Sequence, residues 1–197
     1  KLMESELNLL MPVRVTQAKN IEYALKVLAA LISNGTAAKL VLTGPPDPHD
    51  AHNMAYYQSL RQMRQNLGLT GQMHFVFESG PEPEQPYQIS SQVVGDLFRI
   101  SDVLFMPSHR EGFGMPILEA GLAGIPIVAS EIPAAVEITA NDALLIKPDQ
   151  NPETTAAQII DLIEQNPISR LRRQVRQNYT WGAIFKKEIE PLLRNKD

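Results

Sequence analysis

Apolar runs of strand length recur along this chain, and a helical pattern follows each of them. Residues 9–13 lead into 20–32, where Ile21, Ala24, Leu25, Leu28 and Leu31 fall at helical spacing. The run 39–43 (KLVLT) ends at Gly44-Pro45-Pro46, and the spacing predicts a helix over about 51–67, stopped by Gly68. Residues 73–77 form the third run, and the Pro-rich stretch 78–88 after it is long for a connection to a helix. A helix over 89–100 leads into a strand at 103–107. A glycine-containing loop follows, then a helix over 116–123 and a strand at 125–130. A last strand at 143–146 precedes a helical tail from about 152. Strands that are near-continuous apolar runs are buried on both faces, which requires helices covering a parallel sheet. The pattern therefore predicts an α/β fold, a Rossmann-like doubly wound parallel sheet of about six strands with helices on both faces. An eight-stranded barrel typically needs about 250 residues, and this chain has 197.

At roughly 150 residues per domain, that length predicts a single domain over 1–197, with C-terminal helices from about 152. The net charge is 18 − 22 = −4, a balance that argues against broad electrostatic binding of nucleic acid. There are no cysteines, which excludes a disulfide scaffold, a thiolate zinc site and a cysteine nucleophile. No run approaches 18 uninterrupted apolar residues, so no transmembrane segment is expected. Residues 1–13 carry charges among their apolar positions, unlike a secretory signal, and read as a chain that starts mid-protein. The tail at 167–178 carries Arg170, Arg172, Arg173 and Arg176, expected as a solvated basic face. Asp47, His49, Asp50 and His52 can be drawn as a metal site, but turn and cap roles are expected of them. No Ser-His-Asp arrangement, Walker loop or dinucleotide fingerprint is present.

Open parallel sheets bind ligands at the carboxyl ends of their strands, here just after Val13, Thr43, Phe77, Pro107 and Ser130. The segment Pro107-Ser-His-Arg-Glu-Gly-Phe-Gly-Met-Pro-Ile-Leu-Glu119 joins a strand end, a loop and a helix start. Pro116 suits a first helical turn. Gly112 and Gly114 let the backbone approach a ligand, and the N–H groups around Met115 to Leu118 form an anion site that fits a phosphate. Glu111 and Glu119, eight positions apart, flank it. Glu119 is expected three residues into the helix, roughly 4.5 Å along its axis, leaning back toward the helix start. A carboxylate is not attracted to phosphate, so each of the two suits sugar hydroxyls. A phosphate with a polyol on either side describes a nucleotide sugar. A capping carboxylate and a surface Glu in an ordinary βα unit account for the same residues, and they do not decide between the two. His109 and Arg110 either line this site or belong to a solvated loop.

The pattern E-G-F-G-x-P-x-x-E, with Pro-Ser before it and G-x-P-x-V-A-S after it, resembles the E-x7-E signature of retaining glycosyltransferases. More narrowly, it is similar to the C-terminal, nucleotide-sugar-binding domain of the glycosyl transferases group 1 family, which has the GT-B architecture. The resemblance extends to the chain start. There the family has a strand, an Arg, and a Lys five positions on at a helix start, matched here by Arg14 and Lys19-Asn20. In outline it runs from Leu9 to about Leu193, including a closing helix with Trp181. It implies that Arg14 and Lys19 grip the donor diphosphate, a role that suits a fork and a point charge. Cations near a helix N-terminus are otherwise unfavourable. It implies that Glu111 contacts the donor sugar and supports charge at its anomeric carbon, and that Glu119 holds the ribose.

Carried over residue by residue, Arg14, Lys19 and Glu111 would be catalytic. Gly112, Phe113, Gly114, Met115, Pro116, Ile117, Leu118 and Glu119 would bind the donor. The substrate implied is a nucleotide-diphosphate sugar, with no further cofactor and no metal required. The family's N-terminal acceptor domain is absent from this sequence, so the fragment alone is expected to be inactive. The whole is expected in the cytoplasm, in carbohydrate biosynthesis, with any peripheral membrane contact left to the missing half. The sequence departs from the family at 78–88, which bears on base recognition near 77–79. Half of a sugar-nucleotide 2-epimerase and a non-catalytic nucleotide-sugar-binding domain are the alternatives. Arg14, Lys19, Glu111 and Glu119 occurring together argue against a relic site.

Overall fold

The computed structural model describes residues 2, 5–47, 49–80, 87 and 89–194. Its strands are β1 (Leu7–Met11), β2 (Ala38–Leu42), β3 (Met73–Phe75), β4 (Val103–Met106), β5 (Ile127–Ser130) and β6 (Leu144–Ile146). They form one sheet in the order β3-β2-β1-β4-β5-β6, every neighbouring pair parallel. The predicted α/β architecture holds. All of β1 is buried, and it pairs in register with β2 on one side and β4 on the other. Strand order reverses between β1 and β4, the place where such sheets open a crevice at their carboxyl ends.

The helices are α1 (Ile21–Ser33), α2 (Ala51–Asn66), α3 (Ser91–Ile100), α4 (Met115–Ala123), α5 (Pro133–Thr139), α6 (Pro152–Gln165), α7 (Pro167–Asn178), α8 (Trp181–Ile184) and α9 (Glu190–Arg194). A π-helical turn, Phe185–Ile189, joins the last two. The apolar positions of α1 form its buried face, against α2 and α6. A second layer stacks α3, α4 and α5. Helix starts carry side-chain caps where the sequence supplies Asp50, Asn151 and Asn166. Helix α4 is instead bounded by glycines in the left-handed region at both ends, Gly114 (φ 73°) and Gly124 (φ 68°).

Four local expectations change. The apolar spacing marks no element between the fifth and sixth strands, yet α5 begins there at Pro133; two parallel neighbours demand such a crossover. The third strand stops at Phe75, and Val76–Ser79 turns as a 3₁₀ helix. Glu78 is drawn back onto α2 by Arg64 (2.9 Å) and by the Tyr57 hydroxyl (2.6 Å). Helix α3 starts at Ser91, capped by Ser90, and residues 81–86 and 88 of the Pro-rich stretch lie outside the described residues. The Tyr87 N–H, near the far end of that stretch, donates to the Phe77 carbonyl of the 3₁₀ turn at 3.1 Å.

The fourth change concerns the basic helix, α7: Arg170 faces solvent as expected, but Arg172 and Arg176 turn inward. Arg176 is buried. Its guanidinium donates to Asp102 Oδ2 at 2.6 Å and to the Ile100 carbonyl at 2.7 Å, while Arg172 donates to the Ser101 carbonyl at 2.9 Å. Asp102 also accepts the Asn8 N–H at 2.8 Å. These bonds clamp α7 to the amino ends of β1 and β4. Beyond it, α8 to α9 bury no side chain, and Trp181 is 84% exposed. Among the described residues no helix is long and apolar enough to cross a membrane.

Candidate functional site

Two loops leave the carboxyl ends of β1 and β4, on either side of the strand-order reversal. The first carries Arg14, and what shapes it is Gly44, just past β2. The Gly44 N–H donates to the Val13 carbonyl at 3.0 Å, and Val15 N–H reaches the Pro45 carbonyl at 3.4 Å. A Cβ at position 44 would lie 2.6 Å from the Val13 oxygen and 2.9 Å from the Arg14 backbone, so only glycine fits. Gly44-Pro45-Pro46 marks a strand end in the sequence, where nothing local shows that Gly44 also beds the Arg14 loop. The Arg14 side chain is exposed and, among the described residues, makes no ion pair.

A 3₁₀ turn, Gln17–Lys19, follows. Asn20 then takes a left-handed conformation (φ 50°) that short polar side chains tolerate, and α1 begins. The first donor of α1 is already used, since Ile21 N–H donates to the Tyr56 hydroxyl, which itself donates to Glu22. Burial first, and the Glu22 carboxylate next, push the Tyr56 hydroxyl well above its ordinary range.

The second loop is tied to the first. The His109 N–H donates to the Ala18 carbonyl at 2.9 Å. Two residues on, both Glu111 oxygens lie 2.7 Å from Lys19 Nζ, with the two side chains 7% and 20% exposed. Nothing in the spacing paired these two residues, which stand 92 positions apart. Gly114 makes the left-handed turn into α4, with Phe113 fully out in solvent at 69% exposure.

The run of donors expected at that helix start narrows. Pro116 has no N–H, and the Ile117 N–H is spent on the Gly114 carbonyl at 2.9 Å while its side chain is buried in the core. The Leu118 N–H falls where the first intrahelical bond to the N-cap Gly114 forms, so of the expected run Met115 is left to offer a donor. Since α4 begins at Met115, Glu119 stands four residues past its start, roughly 6 Å along the axis, one residue farther than expected.

The two glutamates open on different clefts. Glu111 lines one of about 350 Å³ with His109, Arg110, Gly112, Pro133 and Glu137, so α5 builds its far wall. Glu119 lines another of about 430 Å³ with Ser91, Val94, Gly95 and Phe98, between α3 and α4. His109 and Arg110 therefore belong to the site's walls. His109 also borders a third cleft with Asn20, Glu22, Tyr23, Lys26 and Asp149. The Asp47–His52 stretch has the turn and cap roles: Asp50 accepts from His52 and Asn53 N–H groups and Asp47 from His49 N–H. Among the described residues no group of three or more His, Asp or Glu is placed to hold a metal ion.

Residues 2–180 match the family described as glycosyl transferases group 1. The match ends just short of Trp181, so the closing helices lie beyond it. An uncharacterized glycosyltransferase of Methanocaldococcus jannaschii is 24% identical over 184 residues, 89% of this chain and 42% of that protein. The O-antigen chain mannosyltransferase of Salmonella typhimurium is 34% identical over 122 residues, 61% of this chain and 31% of that protein. The chain thus spans less than half the length of these curated relatives. Among solved structures, the C-terminal domain of a glycosyl transferase group 1 family protein from Francisella tularensis shares the fold. Its TM-score is 0.66 at 22% identity, covering 92% of this chain and 85% of that one. An Anabaena protein solved with UDP superposes with a TM-score of 0.68 at 20% identity, over 89% of this chain and 45% of that one.

Proposed function

The chain belongs to the glycosyl transferases group 1 family, and from that premise we propose that it is the donor-binding half of a retaining glycosyltransferase using a nucleoside-diphosphate sugar. The observation that carries this reading is the meeting, across the strand-order reversal, of a cationic loop and a glycine-led helix start. Arg14 and Lys19 stand on the first, Glu111 and the Met115 N–H at the helix start on the second. An Anabaena fold neighbour was solved with UDP-glucose, which supports this class of ligand.

In the proposed reaction the bond between the anomeric carbon and the diphosphate oxygen breaks, and its electron pair leaves with the diphosphate. Arg14, Lys19 and the Met115 N–H meet that growing negative charge, an electrostatic task that asks no bound metal. Glu111 faces the sugar and supports positive charge at the anomeric carbon. Glu119 accepts hydrogen bonds from the ribose. The acceptor hydroxyl, brought in by an N-terminal domain outside this sequence, bonds through its oxygen to the anomeric carbon on the face the diphosphate left and passes its proton to the departing diphosphate. The chain alone then binds donor without transferring it.

Calorimetric titration of the 197-residue chain with UDP, GDP and ADP, with and without a chelator, tests the reading. Saturable binding of at least one of them, unchanged by chelator, is expected. Hydrogen bonds to a charged acceptor contribute about 1.5–3 kcal/mol, so Glu119→Ala should weaken that binding roughly 10- to 100-fold. No binding by any of the three, or binding abolished by the chelator, would sink it.

A further inference from the structure

We propose that Glu111 occupies Lys19 in place of the donor diphosphate while the site is empty, and yields it when the diphosphate arrives. The carboxylate that faces the sugar is thereby released only once the other half of the donor is in position. This rests on the donor-binding reading above and adds to it a coupling between the two ends of one ligand.

The geometry points there because both Glu111 oxygens are committed to a single Nζ. At 7% exposure, Glu111 has little access to water that could replace that cation. The backbone also holds the two together: the left-handed Asn20 ends the turn that carries Lys19, and the Ala18–His109 hydrogen bond joins it to the loop that carries Glu111. Lys19 presents a compact point charge, and a diphosphate brings more negative charge to it than one carboxylate. Arg14, exposed and without an ion pair among the described residues, adds to the diphosphate's side of that competition. The exchange therefore runs toward the ligand. It also costs affinity for a bare diphosphate, which must displace Glu111 and gives the freed carboxylate nothing to hold. A donor with its sugar attached offers hydroxyls in return.

A double-mutant cycle separates this from plain repulsion between Glu111 and phosphate. The parent, Glu111→Gln, Lys19→Met and the double variant are titrated with UDP, GDP and ADP, then with the glucose conjugate of whichever binds, after their melts are compared. Glu111→Gln should bind the bare diphosphate roughly 3- to 10-fold more tightly, the net worth of a partly buried ion pair. That gain should vanish in the Lys19→Met background, and it should be smaller or absent with the glucose conjugate. Should Glu111→Gln fail to fold, Glu111→Asp withdraws the carboxylate from Nζ and should show a lesser gain of the same sign. An equal gain with and without Lys19 means repulsion alone and overturns the proposal, as does weaker binding by Glu111→Gln. A parent that binds none of the three diphosphates overturns the donor-binding reading as well.

Discussion

Replacing Arg176 by alanine withdraws the cation from a buried pair. Asp102 is 3% exposed and, among the described residues, would keep only the Asn8 N–H as a partner. The Ile100 carbonyl would lose its donor too. Breaking a buried pair from one side costs about 3–5 kcal/mol, because an uncompensated charge stays inside. Against a total stability of about 5–15 kcal/mol, that is a large share. For a chain of this size each kcal/mol moves the midpoint by roughly 2–4 °C, so melting should fall by roughly 6–20 °C. Arg170→Ala, on the same helix but exposed, should stay within about 0.5 kcal/mol of the parent. Urea melts followed by circular dichroism give the free energies. The double change Asp102→Leu with Arg176→Met leaves the Asn8 N–H and the Ile100 carbonyl without these partners but no charge inside, so it should cost less than either single break. Binding of a nucleoside diphosphate to folded Arg176→Ala should be unchanged, since the pair lies at the amino ends of the strands, opposite the site. A variant Arg176→Ala that unfolds with the parent would refute the clamp.

Gly44→Ala forces a methyl to within 2.6 Å of the Val13 oxygen; displacing that backbone should cost about 1–3 kcal/mol and weaken diphosphate binding through Arg14, readable by melting and calorimetry on one sample. Tyr56→Phe tests the alkaline limb. The Tyr56 hydroxyl is raised above 10.0 in the fold, so its contribution is whole below pH 10 and lost as pH climbs through the raised value. The phenylalanine variant should lose about 1.5–3 kcal/mol near pH 8 and decline less steeply above pH 10; an unchanged slope in urea melts across that range contradicts the assignment.

The sheet was legible because strands buried on both faces must be apolar almost without a break, and β1, β2 and β4 are. Helix α5 was not: it is seven residues long, opens on Pro133, and its two fully buried positions, Ala135 and Thr139, make no visible apolar stripe. The end of β3 is masked in the sequence because Val76 and Phe77 continue the apolar run, while Glu78, held by Arg64 and Tyr57, turns the backbone aside. Arg172 and Arg176 looked solvated because their partners, at Ser101 and Asp102, come from a strand end far away in sequence. The candidate site divides in the same way. Its residues stand on one readable motif and one strand end, but the Lys19–Glu111 pair arises only when the sheet sets β1 beside β4. Gly44 acts through a neighbouring strand and left no local mark either.

The hydrogen bond between the His109 N–H and the Ala18 carbonyl involves no side chain at either position. Its register is therefore indifferent to which amino acids occupy 18 and 109, proline at 109 apart. Positions 109 and 110 line the cleft beside Glu111, so substitutions there can reshape the wall without unfastening the two loops. A descendant of this chain could change what it accommodates through those side chains while the charge pair behind them keeps its spacing. The fastening and the wall are carried by different atoms of the same residue, which makes this corner of the crevice open to drift in specificity.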